Sequence, residues 1–349
     1  SSGVRLWNPS RDMRHLSVPS VDTQRVLQVL EETGALPEGA RVIADPTDDS
    51  RRLIPIHEGH ASDYPSVDIE VEGPAPRTYR DQLPVEIRGA VEWPTGHEIL
   101  GDLILIKLDA EQRLHGTAIG NALITQHPRV RAVYEDRGVV GEFRIRDLSL
   151  LSVRDGAVAG TRTQVRESGQ MLWTDPAEAY YSARLSRERE GTLVSAKALR
   201  EQIGRPIDVC DPYAGVGPSL KPLIRESGLV GHLFAGDLNP AAVRLLKDNI
   251  DHPDTTFECV DALSLGGREE MISAFDLLLV NIPHDTLSHL PSLTPLVRPG
   301  GLIRGWAVVD ESDHEAAVST LDDLLGETRL EIRRSYSSTS NLCRFESTM

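Results

Sequence analysis

Four short apolar runs in the C-terminal half of this sequence end in polar side chains, and their spacing is that of a cofactor site. Residues 207–210 lead into Asp-Pro-Tyr-Ala-Gly-Val-Gly-Pro at 211–218, a strand, an acid and a glycine loop entering a helix. Gly215 and Gly217 let the backbone turn sharply and approach a ligand with no Cβ in the way, with Ala214 at the head of the loop. The next run ends in Gly-Asp-Leu-Asn-Pro at 236–240. Asp237 stands 20 residues after Gly217, the spacing at which a carboxylate meets a ribose diol, and Leu238 sits beside it. A third run ends at Asp261, placed to hydrogen-bond an adenine amine, and a fourth in Asn281-Ile282-Pro283. Ligands of open α/β sheets lie at the carboxyl ends of strands. A lone glycine loop is as readily a tight turn with no ligand; Asp211, the glycine pair, Asp237, Asp261 and Asn281 in register argue for a nucleoside-bearing cofactor. The loop lacks the full G-x-G-x-x-G, and no basic residue follows to hold a pyrophosphate. That disfavours a nicotinamide dinucleotide and suits S-adenosylmethionine, which carries no phosphate.

The elements that must position these residues follow from periodicity. From 174 onward, apolar runs at 206–210, 233–236, 257–260, 276–280 and 302–309 alternate with helix candidates at 220–226, 241–249 and 312–325. Such alternation predicts a parallel sheet covered on both faces, and so an α/β, Rossmann-like domain over 174–349. Two smaller α+β units precede it. In 77–170, strands are expected at 103–108, 132–134 and 139–145 and a helix at 111–126. Arg144 and Arg146 flank Ile145 on the last strand and so project to one face. Residues 155–169 are polar and turn-rich, suiting a hairpin or a linker. In 1–70 a helix is expected at 21–33 and short strands at 41–44 and 53–56, while the Gly-, Pro-, Ser- and Asp-rich 59–76 reads as a linker. Ser1-Ser2-Gly3 reads as a cloning remnant and is set aside.

Composition narrows the function classes. A chain of 349 residues exceeds one ordinary core. No window approaches 18 uncharged apolar residues, so no membrane-spanning helix is expected, and the start shows no signal-like apolar stretch. The three cysteines are far apart and form no CxxC, and no Cys/His cluster has metal-ligand spacing. Reduced thiols, a cytoplasmic setting and no metal are the expectation. A net charge of −16 weighs against a nucleic-acid partner. Four Lys against 33 Arg, within an acidic excess, reads as a whole-proteome bias instead. Residues 129–166 hold eight Arg against five acids, which is where an anionic partner would be sought, though a charge run is equally a solvated face.

Residues 174–310 resemble a class I methyltransferase domain. Further strings narrow the resemblance: Gly-Asp-Leu-Ile-Leu-Ile at 101–106, Gly-Glu-Phe-Arg-Ile-Arg-Asp-Leu at 141–148, and Ala-Tyr-Tyr-Ser-Ala-Arg-Leu-Ser-Arg-Glu-Arg at 179–189. With the 211–218 loop, 236–240 and Asn281-Ile282-Pro283, they occur in the order found in archaeal and eukaryal tRNA (guanine-37-N1)-methyltransferases and their wybutosine-pathway relatives. The likeness covers 77–310; residues 1–70 fit by position and size only, where the family has a small domain contacting the tRNA elbow.

The resemblance implies methyl transfer from S-adenosylmethionine to N1 of guanine-37 of tRNA by a monomeric enzyme. Guanine N1 carries a proton at neutral pH, so its methylation needs a general base and a donor near O6. On the family pattern Glu188 is the base, Arg144 serves O6, and Asn281 orients the base edge. Tyr180 or Tyr181 would stack on the extruded base, with Pro283 beside it. Arg189, Arg184 and Arg146 would serve the cofactor carboxylate or tRNA phosphates. Without the resemblance, Glu188 reads as a helix glutamate paired with Arg184 or Arg189, and Arg144 as a strand arginine in a salt bridge. Pro212 and Ala183 depart from the family strings. The string His-Asp-Thr-Leu-Ser-His-Leu-Pro at 284–291 resembles the sister branch, which transfers a 3-amino-3-carboxypropyl group from the same cofactor. Asn-Ile-Pro and Gly-Val-Gly-Pro favour methyl transfer. A non-catalytic, cofactor-sensing RNA-binding protein is a third reading, opposed by the intact Glu188, Arg144 and Asn281.

Overall fold

The computed structural model describes residues 11–37, 41–71 and 77–349, and the chain divides into one unit ending at Leu83 and another beginning at Pro84. In the first, β1 (Arg11–Pro19) is followed by α1 (Thr23–Glu32), β2 (Ile43–Asp45), β3 (Asp48–Pro55) and β4 (Ser66–Val71). The strands form one antiparallel sheet in the order β2-β3-β1-β4. Val26 and Leu30, one helical turn apart on α1, pack on Leu16, Val18, Ile54 and Ile56. The stretch 59–76 is therefore not a linker throughout. Ser-Val-Asp-Ile-Glu-Val alternates with period two and pairs along β1, a pattern masked in sequence by the glycines and prolines around it. Ser1-Ser2-Gly3 and residues 72–76 lie outside the described residues.

The second unit opens with β5 (Glu98–Leu100), β6 (Leu103–Ile106), α2 (Ala110–Arg113), α3 (Gly116–Gln126), β7 (Ala132–Val140) and β8 (Ile145–Val153). They form a sheet in the order β5-β6-β7-β8, with β6 and β7 parallel. The single helix expected over 111–126 is broken. Asp109 caps α2 through the Gln112 N–H, and the helix stops before His115, whose backbone leaves helical geometry. A second correction bears on the site. Residues 132–140 form one strand, the chain turns at 141–144, and β8 starts at Ile145, so Arg144 lies in the turn with φ 52° and does not share a strand face with Arg146. A turn that opens on a glycine cannot be told from strand by apolar content alone, and Val139, Val140 and Phe143 filled the strand pattern.

A hairpin of β9 (Thr163–Glu167) and β10 (Gln170–Thr174) leads to α4 (Ser186–Ile203). Then come β11 (Ile207–Asp211), α5 (Leu220–Arg225), β12 (Val230–Asp237), α6 (Pro240–Asn249), β13 (Thr255–Cys259), β14 (Phe275–Val280), α7 (Thr286–Leu293), β15 (Val297–Asp310), α8 (His314–Leu325), β16 (Arg329–Ser335) and β17 (Ser340–Thr348). The sheet order is β13-β12-β11-β14-β15-β17-β16. The five strands through β15 are parallel, as the alternation predicts; β17 and β16 extend the sheet antiparallel, which it does not. Alternation along β14 serves two cores: Leu277 and Leu279 face α4, α5 and α6, while Leu278 and Val280 face α7 and α8.

The upstream sheet is part of the same unit. Leu100, Leu103, Leu105, Ala132 and Tyr134 share a core with Val165 and Leu172 of the hairpin and with Val216, Ala242 and Leu245. Asn249 fastens it by exchanging hydrogen bonds with the Trp173 backbone and donating to the Val216 carbonyl. Among the described residues no helix is long and apolar enough to cross a membrane, and no three His, Cys, Asp or Glu side chains group to hold a metal. All three cysteines are free.

Candidate active site

The glycine loop begins where β11 delivers Asp211, 2 % exposed, to the carboxyl edge of the sheet. Gly215 and Gly217 adopt φ of 56° and 86°, conformations that side chains with a Cβ rarely adopt. Their reasons differ. A Cβ on Gly217 would meet Leu246 Cδ1 at 2.7 Å, so this glycine packs the loop on α6; a Cβ on Gly215 would find only the Tyr180 carbonyl at 4.0 Å, so its outward face is open. Asp237, at the end of β12, holds the loop in shape. Its Oδ2 accepts the Gly215 N–H at 2.8 Å and its Oδ1 the Asn239 N–H at 2.9 Å. Ala214 is buried and donates its N–H to the Gly236 carbonyl.

Electrostatics mark this edge as unfinished. Burial pushes the Asp211 carboxyl up to about 7, helped by the charge of Asp237 and opposed by the Tyr213 N–H it accepts. Burial also raises Asp237. Both carboxylates take only backbone N–H donors among the described residues, and neither has a cation. Leu238 is exposed beside them. Asp261 is exposed, two residues past the end of β13, and caps the following turn by accepting the Leu263 N–H. Asn281 follows β14, half-buried, with no side-chain hydrogen bond among the described residues. Its segment is held from behind, since the Ile282 carbonyl accepts from Thr286 and the Pro283 carbonyl from the Val308 N–H.

Glu188 occupies the first turn of α4 and is largely buried. It pairs with neither Arg184 nor Arg189. Its Oε1 accepts the Arg333 Nε–H at 2.8 Å and its Oε2 the Trp306 Nε1–H at 3.1 Å. Burial alone would raise this carboxyl; the bonds from Arg333 and Trp306 outweigh it and hold the group below its ordinary value, hence ionised at neutral pH.

Three expected ligand-binding groups are committed elsewhere. Arg189, 4 % exposed, makes a two-pronged bond to Glu167 and donates to the Ser182 carbonyl, so its guanidinium is held within the fold. Tyr181 donates its hydroxyl to the same Glu167, and burial with that carboxylate raises its pKa. Arg146 bridges Glu98 at 2.8 Å and Asp136 at 2.7 Å, because its half-buried guanidinium needs local counter-charge. Tyr180, Arg184 and Arg144 remain exposed with no side-chain partner among the described residues. The arginine-rich 129–166 segment is mostly structural in the same way. Arg131 pairs with Asp102, Arg137 with Glu135 and Arg162 with Asp248, and Arg154 binds three backbone carbonyls.

Glu167, Trp306 and Arg333 were not singled out in the sequence. They lie 22 residues from Arg189 and 118 and 145 from Glu188, in elements whose local patterns carry no trace of the pairing.

Residues 163–333 match the TRM5/TYW2 methyltransferase domain and residues 80–155 the TYW2 N-terminal domain. A tRNA (guanine(37)-N(1))-methyltransferase Trm5b of Pyrococcus abyssi is 30% identical over 306 residues, covering 85% of each chain. Among solved structures, aTrm5 in complex with tRNALeu superposes with a TM-score of 0.62 at 21% identity, over 96% of this chain and 99% of that one. P. horikoshii TYW2 in complex with MeSAdo superposes with a TM-score of 0.59 at 19% identity, over 77% and 96%. These two likenesses are of fold.

Proposed function

The chain belongs to the TRM5/TYW2 methyltransferase family, and from that premise we infer that it transfers a methyl group from S-adenosylmethionine to N1 of guanine-37 in tRNA, next to the anticodon. The observation that carries the reading is Asp211: a buried carboxyl at the mouth of a glycine loop, with no cation beside it among the described residues. A cofactor bearing an ammonium and a sulfonium supplies the missing charge. Asp237 would hold the ribose hydroxyls with lone pairs left beyond its two backbone bonds, Asp261 and Leu238 would flank the adenine, and the open face of Gly215 leaves room for the ligand. The cofactor brings an electrophilic methyl group; the protein's own residues handle the guanine.

Glu188, ionised and fixed, takes the N1 proton as the N–C bond forms. Arg144, exposed in its turn, donates to O6, where negative charge grows as N1 loses its proton. The unpartnered Asn281 amide reads the base edge. Tyr180, 53 % exposed, offers a face for the extruded base, whereas Tyr181 is half-buried with Arg189 over its ring and its hydroxyl on Glu167. Arg184 is free to meet a tRNA phosphate.

The match of residues 80–155 to the TYW2 N-terminal domain favours a second reading, 3-amino-3-carboxypropyl transfer to a modified guanine. One experiment separates them. Mass spectrometry of nucleosides from tRNA reacted with the enzyme and S-adenosylmethionine should show a methylguanosine that disappears when guanine-37 is replaced. An aminocarboxypropyl adduct, or no adduct at all, would overturn the methyl-transfer reading.

A further inference from the structure

The donors on Glu188 come from the far end of the matched 163–333 domain, outside the short strings read in the sequence. Trp306 lies on β15 and points, with Arg304, to the sheet face covered by α4. Arg333 lies on β16, the edge strand. The β16–β17 ladder pairs Ile332 with Cys343 and Arg334 with Leu342, so the register skips Arg333 and leaves it as the extra residue of a bulge. Bulges bend a strand and re-aim a side chain; here the re-aimed group is the guanidinium that meets Glu188.

We propose that Arg333, with Trp306, is a positioning residue for proton abstraction: the two fix both oxygens of Glu188, so that one remaining lone pair is presented to the guanine N1–H. It acts only through Glu188, so the assignment rests on Glu188 being the base.

Three features support it. The guanidinium is itself braced, with Nη1 3.5 Å from Glu331, which also accepts from Arg344. The backbone beneath the carboxylate is fixed too. Arg304, 1 % exposed, donates to the Glu188 carbonyl at 3.3 Å while anchored by Thr192, Ser195 and Glu346. Finally, a glutamate needed only to stabilise the α4 N-terminus would find a partner one turn away; Glu188 instead draws an arginine from 145 residues away and a tryptophan from 118. Arg333 on β16, Arg344 on β17 and Arg304 on β15 act on Glu188 as positive charges, and Glu331 and Glu346 are the carboxylates that pair with them. Removing Arg333 leaves burial less opposed, so the carboxyl titrates at higher pH.

The test is single-turnover methyl transfer to tRNA by the full chain, with saturating S-adenosylmethionine, across pH. Arg333→Ala should slow the step by up to ~10²-fold, the scale of a misplaced catalytic group. It should also move the ascending limb of the pH–rate profile to higher pH, and Arg333→Lys should restore part of both. Cofactor affinity should stay at the wild-type value, and stability at neutral pH should fall only by the amount that the shift of Glu188 itself implies. In a Glu188→Gln background, Arg333→Ala should add no further loss. A wild-type rate and limb in Arg333→Ala, with Glu188→Gln slow, would overturn the positioning role and leave the base standing. A slower rate with an unmoved limb and a larger loss of stability would make Arg333 a structural anchor only. A fast Glu188→Gln variant would instead remove the base reading itself, whatever Arg333 does.

Discussion

Asp237 Oδ2 accepts the Gly215 N–H at 2.8 Å, so the carboxylate that closes one strand sets the loop that leaves its neighbour. One side chain thus shapes the loop and, on the proposed reading, also holds the cofactor ribose. If it does, Asp237→Ala removes a charged hydrogen bond to the cofactor and the brace on the loop together. Calorimetry should show S-adenosylmethionine binding weakened by about 1.5–3 kcal/mol, the range for bonds to a charged group. Unchanged affinity would remove Asp237 from the cofactor site.

Gly217 gives a stability prediction on the same loop. Its φ of 86° disfavours any Cβ, and that Cβ would lie 2.7 Å from Leu246 Cδ1 and 3.2 Å from two Ile250 carbons. Gly217→Ala should destabilise by about 1–3 kcal/mol, the usual scale of overpacking. The check is a lower denaturation midpoint at constant slope. A midpoint equal to wild type would mean that α6 shifts freely, against its place in the core.

How much of this was legible depends on whether the cause was local. Asp211, the glycine loop, Asp237 and Asn281 were readable because each sits at the end of an apolar run, and the sheet's parallel order follows from strand–helix alternation. The fate of charged side chains was not readable. Arg189 and Arg146 lie in the matched strings, yet one is buried on Glu167 and the other bridges Glu98 and Asp136, because a desolvated guanidinium takes whichever carboxylate the tertiary fold brings near. β16 and β17 were missed for a related reason: β17 pairs with β15 and β16 with β17, and antiparallel extension of a parallel sheet leaves no mark in the alternation.

Asp211 predicts a pH dependence of the cofactor-free protein. Its carboxyl titrates near 3.8 when unfolded and at about 7 when folded, raised by burial and by Asp237. Folding therefore takes up a proton between these values. The group's contribution to stability is greatest below the unfolded value, falls as pH rises through the window, and is flat above about 7. Asp211→Asn cannot ionise, so its stability relative to wild type should climb across that window. Chemical denaturation of both proteins at several pH values checks the slope; parallel curves would mean that Asp211 ionises normally in the fold.

Arg144 stands in a turn at φ 52°, exposed and with no side-chain partner among the described residues, so its removal should not disturb the fold. If it donates to O6, Arg144→Ala should lower the single-turnover rate by ~10²–10³, the worth of one donor to a developing oxyanion, with little change in tRNA affinity. Loss confined to tRNA affinity, with the chemical step intact, would make it a phosphate contact.

Glu188→Gln tests the base directly. Glutamine is nearly isosteric, and its amide oxygen can still accept from Arg333 or Trp306, so the fold and cofactor affinity should hold. The amide cannot take a proton, so the single-turnover rate should fall by roughly 10²–10⁴, the usual contribution of a positioned general base. The wild-type rate should rise with pH until Glu188 is ionised and then level. Because Arg333 and Trp306 hold that carboxyl below its ordinary value against burial, the rise should be complete in the acid range and the plateau should span neutral pH. In the glutamine variant the acid limb should vanish and the rate should climb only toward the pKa of guanine N1, where solvent removes the proton. The rival role is an ion pair that merely ties α4 to β16. In that case glutamine, still bonded to one donor, retains most of the rate and the wild-type pH profile. A variant within a few-fold of wild type would therefore leave Glu188 as an anchor, with the cofactor site untouched.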